Sequence, residues 1–196
     1  KSKHVYILLH GYGESAQSML QHFKPLIDED KNSICAPNGP FPIPKYDRKC
    51  QPPNWKIIYA WYFFNSSNQT YFINQDYAIS FIFELMTKLN LQKIPCTIIG
   101  FSQGGYLAPF VGSVINTCER VIGINCEFKH QLLPKKLPFE LIGISGEDDL
   151  VVDPINAKKS HEIIINAGNK GPFLLLKNTN HNINEEIIKA TKSFLS

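Results

Sequence analysis

The sequence predicts an α/β fold built on a mostly parallel sheet of about six strands with helices on both faces, and three observations carry that prediction. Six short apolar runs bounded by turn residues recur along the chain, at 5–9, 33–36, 96–100, 121–125, 139–145 and 173–177. Each is a continuous Val/Ile/Leu-type run without polar alternation, the mark of a strand buried on both faces. Between them lie longer stretches with apolar residues at helical spacing, such as Tyr77, Phe81, Leu85 and Leu89. Strand and helix thus alternate, which requires right-handed crossovers and a parallel sheet.

In chain order, 5–9 reads as the first strand, and the start, 1–9, is too short and strand-like for an intact signal peptide. The second strand, 33–36, leads into a segment of different character at about 37–71. Six of the 13 prolines (37, 40, 42, 44, 52 and 53) fall there, ahead of the aromatic cluster Trp55, Tyr59, Trp61, Tyr62, Phe63 and Phe64. Such proline density forbids regular helix, so an irregular Pro/aromatic-rich insertion is expected, and a long excursion of this kind inside a domain is more often functional than a linker. A helix near 77–89, the strand 96–100, a helix at 106–115, the strands 121–125 and 139–145, a helix at 155–167, the strand 173–177 and a last helix at 183–195 follow. At 196 residues the whole of 1–196 is expected to form a single domain, since chains of this size bury roughly 70% of their surface around one core.

Composition narrows the function classes. Apolar residues make up 43% of the chain and charged ones 19%, so a core is affordable and a disordered tail is not expected. The net charge of +3 comes from 20 basic and 17 acidic residues without a basic run, which argues against a nucleic-acid partner. No apolar stretch reaches the roughly 18 residues that span a bilayer. The five cysteines (35, 50, 96, 118 and 126) are widely spaced and contain no CxxC pair. They fit neither a disulfide framework nor a zinc site and are read as mostly buried thiols in a reducing, cytoplasmic setting. Asn65 and Asn68 each head an Asn-x-Ser/Thr triplet, read as chance in a polar loop.

In parallel sheets the reactive residues sit beyond the carboxyl ends of the strands, which directs attention to the loops after positions 9, 36, 100, 125, 145 and 177. The sharpest signal is Gly100-Phe101-Ser102-Gln103-Gly104-Gly105, a GxSxG between a strand and a helix. This is the context of a nucleophile elbow: the serine is held in a strained turn, and side chains two residues either way would collide with neighbouring backbone. A serine hydroxyl needs a base, and in that arrangement the partners follow in the order Ser, Asp/Glu, His. Only His161 and His181 come late enough, and His161 lies within a helical stretch, so His181 is the expected base. The acid belongs to the loop after position 145, Gly146-Glu147-Asp148-Asp149-Leu150-Val151-Val152-Asp153-Pro154. Asp149 is expected there, with Asp148 as runner-up and Asp153 as the N-cap of a helix whose first residue is Pro154. A metal reading of the acidic cluster finds no HExxH and no cysteine pairing. An oxyanion hole is expected from His10-Gly11-Tyr12-Gly13, with the backbone N–H groups of Tyr12 and Gln103 as donors and His10 in a structural role.

These motifs resemble the phospholipase/carboxylesterase family of small α/β-hydrolases, the group containing acyl-protein thioesterases, and somewhat less closely the fungal-type family of serine hydrolases. The resemblance is carried by Leu8-Leu9-His10-Gly11-Tyr12-Gly13, Gly100-Phe101-Ser102-Gln103-Gly104-Gly105, Gly146-x-x-Asp149-x-x-Val152 and His181 ahead of a final helix, which together span nearly the whole chain. It implies a minimal α/β-hydrolase fold lacking the two strands that open larger hydrolases, a Ser102, Asp149, His181 triad, and hydrolysis of carboxylic esters or thioesters without a cofactor. Asp153 stands where the family usually has proline, and Asn178-Thr179-Asn180 replaces a glycine shortly before the histidine.

A small-molecule or acyl-group ester is therefore the expected partner. Trp61, Tyr62 and Leu150 are the candidate substrate contacts, and ordinary core packing is the competing account of the Trp61–Phe64 aromatics. Rival functions are peptide or lactone hydrolysis on the same fold, or a binding protein that keeps the hydrolase shell without turnover.

Overall fold

The computed structural model describes residues 2–195, so the two ends of the expected 1–196 domain lie outside the described residues. In chain order the elements are β1 (His4–Leu9), α1 (Ala16–Phe23), β2 (Asn32–Cys35), β3 (Phe41–Asp47), β4 (Asn54–Ala60), β5 (Phe63–Asn65), β6 (Thr70–Ile73), α2 (Asp76–Lys88), β7 (Cys96–Phe101), α3 (Gln103–Val114), β8 (Cys118–Ile124), β9 (Glu140–Gly146), α4 (Pro154–Asn166), β10 (Phe173–Leu176) and α5 (Glu185–Lys192).

Six strands form one sheet in the order β10-β9-β8-β7-β1-β2, and every pairing in it is parallel. Alternate residues of β1 divide between two apolar layers. Val5, Ile7 and Leu9 face a cluster with Ile82, Met86 and Leu107, while Tyr6 and Leu8 face one with Met19, Phe23 and Ile187. Helices α2 and α3 thus cover one face and α1 and α5 the other, which is why the inner strands read as unbroken apolar runs. The edge strands differ: β2 and β10 are only partly covered. The order runs outward from β1 to β2 on one side and to β7 on the other, so β1 and β7 flank the point where the winding reverses and where loops part to leave a crevice.

One element was not expected and one expectation changes. The short helix α1 carries no long periodic signal; Met19 and Phe23, one turn apart, are its buried contacts. The segment at about 37–71, expected to be irregular, instead forms two antiparallel hairpins, β3 with β4 and β5 with β6. Proline excludes helix there but not an edge strand. Pro42 and Pro44 lie two residues apart, opposite Tyr59 and Ile57, so their missing N–H groups face the same side of β3, and a two-stranded ribbon leaves one side of each strand free. Among the described residues no helix is long and apolar enough to cross a membrane.

Candidate active site

Ser102 stands between the end of β7 and the first turn of α3 with φ +48° and ψ −115°, a left-handed backbone that serine seldom adopts. The turn is locked by its amide, which donates to Ile124 O at 2.8 Å, and by its carbonyl, which accepts from Tyr106 N at 3.0 Å. Glycine is obligatory around it for the reason the motif suggests. A Cβ on Gly100 would run into the Gly104 carbonyl, and one on Gly104 into the carbonyls of Leu9 and His10. The elbow is therefore wedged between β1 and its own helix.

The imidazole of His181 reaches Ser102 Oγ through Nε2 at 3.0 Å and Asp149 Oδ2 through Nδ1 at 2.7 Å. Because a carboxylate accepts, Nδ1 carries the hydrogen and Nε2 is left with a lone pair facing the hydroxyl. Asp149 is buried, and its other oxygen, Oδ1, accepts from the amides of Val151 and Val152 at 2.8 and 2.9 Å. Asp148 is exposed and its side chain joins none of these contacts. Asp153 caps α4, accepting from Ile155 N at 2.8 Å, with Pro154 as the first helical residue.

The loops that carry Asp149 and His181 are sewn together. Asp148 N donates to Thr179 O and Glu147 N to Leu176 O, and a Cβ on Gly146 would strike the Thr179 carbonyl. Asn125, fully buried at the end of β8, supplies a further tie that sequence reasoning missed. Its Oδ1 accepts from Gly146 N at 3.0 Å while its Nδ2 donates to the carbonyls of Asn180 (3.1 Å) and Asn182 (3.4 Å), one on each side of His181. The one available clue was a polar residue closing an apolar strand.

The loop after β1 is held just as closely. Gly11 N donates to Glu14 Oε2 and Gly13 N to Tyr59 O, while Tyr59 N returns a bond to Glu14 O, so hairpin strand β4 fixes the loop. Tyr12 N, between those two engaged amides, has no acceptor among the described residues. Gln103 N belongs to the first turn of α3, where amides lack intrahelical acceptors. His10 is fully buried; its Nε2 accepts from Gly39 N at 2.9 Å, so Nδ1 donates to Gly11 O at 2.7 Å. Burial holds its pKa below the ordinary histidine value, and it stays a neutral strut.

A groove of about 520 Å³ opens over Ser102 and Gln103, walled by Tyr12, Tyr62, Phe63 and Phe64 on one side and by Val151 and Val152 on another. Tyr62 thus lies where a substrate contact is expected. Trp61 and Leu150 do not, and both expectations are corrected. Trp61 is fully buried, its Nε1 donating to His10 O at 2.8 Å beneath the loop after β1, because an indole in the core needs an acceptor and finds one there. Leu150 is 98% exposed and does not line the groove, standing in the turn whose following two amides bind Asp149. The side chain of Gln103 has a role that its motif did not suggest: Oε1 accepts from Trp61 N and Nε2 donates to Tyr62 O, both at 2.9 Å, clamping the aromatic wall to the nucleophile turn. Among the described residues no group of three or more His, Cys, Asp or Glu side chains is placed to hold a metal ion.

Against known proteins, the sequence model of the family described as phospholipase/carboxylesterase matches residues 1–196. No curated protein matches the sequence. Several solved structures share the fold. Esterase PE8 superposes with a TM-score of 0.74 at 19% identity, covering 99% of this chain and 92% of its own. Acyl-protein thioesterase 2 of Zea mays gives 0.72 at 15%, covering 100% and 93%, and a carboxylesterase of Mesorhizobium loti gives 0.74 at 14%, covering 100% and 89%.

Proposed function

We infer the reaction from one premise: this chain belongs to the phospholipase/carboxylesterase family. It is a serine hydrolase that cleaves carboxylic esters or thioesters through an acyl-enzyme, and the observation that carries this reading is the continuous hydrogen-bonded line from Asp149 through His181 to Ser102. In the first step Nε2 of His181 takes the proton of Ser102 as Oγ bonds to the substrate carbonyl carbon. Asp149 steadies the resulting imidazolium and keeps the ring in the tautomer that leaves Nε2 unprotonated beforehand. The carbonyl oxygen, now carrying the negative charge, faces the amides of Tyr12 and Gln103, and the first turn of α3 adds its dipole.

Collapse of that intermediate breaks the bond to the alkoxide or thiolate, which leaves with the proton from His181. Water then enters, gives a proton to His181, attacks the acyl carbon and releases the acid, with Ser102 restored. The domain is read as one unit around this site, and the buried thiols of Cys35, Cys96, Cys118 and Cys126 support a reducing, cytoplasmic setting.

The reading is tested by replacing the nucleophile. Ser102→Ala is expected to lower kcat on a p-nitrophenyl ester by on the order of a millionfold while leaving the thermal transition in place, as comparable nucleophile deletions do. Ester hydrolysis that persists in this variant overturns the assignment.

A further inference from the structure

The walls of the groove are not those of a simple fatty-acyl channel. Beside Phe63 and Phe64 it is lined by the phenols of Tyr62, Tyr71 and Tyr106. Burial pushes all three above the ordinary tyrosine pKa, so each hydroxyl stays protonated and can donate. Among the described residues no carboxylate lines this groove, and Lys129 is the one charged side chain on its wall. Its ammonium lies over the Tyr106 ring, 5.4 Å from the centroid, a distance at which the ring face attracts a cation. Glu127 lies 3.9 Å from it, a loose ion pair beyond hydrogen-bond range that is not part of the lining, so a carboxylate in the groove competes with it for the ammonium. The lysine side chain is 31% exposed, so its charge is partly stripped of water and acts more strongly than it would in bulk solvent.

Position relative to the nucleophile follows from the helix. Tyr106 is one turn of α3 beyond Ser102, tied to it by the 3.0 Å bond from Tyr106 N to Ser102 O. One turn advances about 5.4 Å along the axis. Ser102, Tyr106 and Lys129 all line the groove, so the ammonium over that ring borders the same space as the Ser102 hydroxyl. An apolar stem attached to the substrate acyl carbon on Ser102 Oγ would share the groove with Phe63 and Phe64 and bring its far end to the ammonium. The acyl half is the part of the substrate that stays bonded to Ser102 between the two steps.

We propose that this groove selects esters whose acyl half ends in a second, free carboxylate, and that Lys129 is the specificity-determining residue that binds it. The proposal rests on the hydrolase reading of the same site and adds its substrate class: monoesters of dicarboxylic acids. Water cleaves such a monoester to the dicarboxylate and an alcohol, releasing one proton. The phenols of Tyr62, Tyr71 and Tyr106 add neutral donors in the same groove, and the Tyr106 ring beneath the ammonium favours its position there.

The test compares monoethyl succinate, adipate and suberate with the corresponding diethyl esters, following proton release at constant pH in initial rates. Wild-type protein is expected to show a higher kcat/KM for one of the monoesters than for its diester, identifying the spacing. Lys129→Met is expected to cut that ratio by about ten- to hundredfold, the range of a single charge-assisted contact, and Lys129→Arg to keep most of it. A ratio that Lys129→Met leaves unaltered overturns the assignment of Lys129, while the hydrolase reading stands as long as the esters are cleaved. A second measurement separates the two readings: calorimetric binding of the monoesters to Ser102→Ala protein. Lys129-dependent binding without wild-type turnover of any ester keeps the anion site and sinks the hydrolase reading. Binding that is equally strong with Met at 129 sinks the anion site.

Discussion

Asn125 makes no bond to Ser102 or His181, yet its amide joins the two loops that bring acid and base together, through Gly146 N on one side and the carbonyls of Asn180 and Asn182 on the other. Removing it strands a buried amide and two carbonyls, which costs about 1–3 kcal/mol. Asn125→Ala is therefore expected to lower Tm by several degrees and, because the imidazole is no longer pinned, to lower kcat by up to about a hundredfold. A variant with wild-type kcat would show that the loops hold their own geometry. The meeting of Ser102, His181 and Asp149 was legible in the sequence because chain order and flanking glycines restrict them tightly, whereas Asn125 was not, since its partners are backbone atoms more than 20 positions away that no local pattern reports. The second job of Gln103, clamping Trp61 and Tyr62 from 41 or more residues off, was hidden for the same reason.

At the scale of elements, the elbow depends on how closely α3 approaches β1. A methyl on Gly104 would occupy the space of the Leu9 and His10 carbonyls, and backbone on both sides leaves it nowhere to go. Gly104→Ala is expected to displace the helix start and abolish turnover, with a stability loss of at least 1–3 kcal/mol as for other overpacked sites, measurable by chemical denaturation. The parallel sheet and its helices were readable because two-faced burial leaves unbroken apolar runs and helical faces leave a 3.6-residue period. The hairpins at 41–47 with 54–60 and at 63–65 with 70–73 were not. Their strands lie outside the main sheet, largely exposed, so neither apolar continuity nor alternation marks them, and their prolines read as disorder of structure when they sit on a free edge. They matter because Tyr59 on one hairpin grips the loop after β1, and Phe63 and Phe64 on the other wall the groove.

For the whole molecule, two fully packed histidines contribute to the response to acid. His10 is bonded to Gly39 N and Gly11 O, and His161 to Leu141 O, and burial lowers the pKa of both. Unfolded, each takes a proton near pH 6.5. Between that value and the lower folded one the unfolded chain binds more protons, so stability is complete above about pH 6.5 and falls as the pH drops below it. Urea midpoints are expected to be level from pH 8 to 7 and to decline by pH 5.5; a flat profile would show that neither ring stays neutral in the fold. The central claim is that the fold itself turns the Ser102 hydroxyl into a nucleophile by setting His181 against it. Its most direct measurement is labelling by a fluorophosphonate, with the modified peptide located by mass spectrometry. The account predicts a single adduct on Ser102 in the wild-type chain and none when His181→Ala removes the base; an unlabelled Ser102, or labelling that is indifferent to His181, would contradict it.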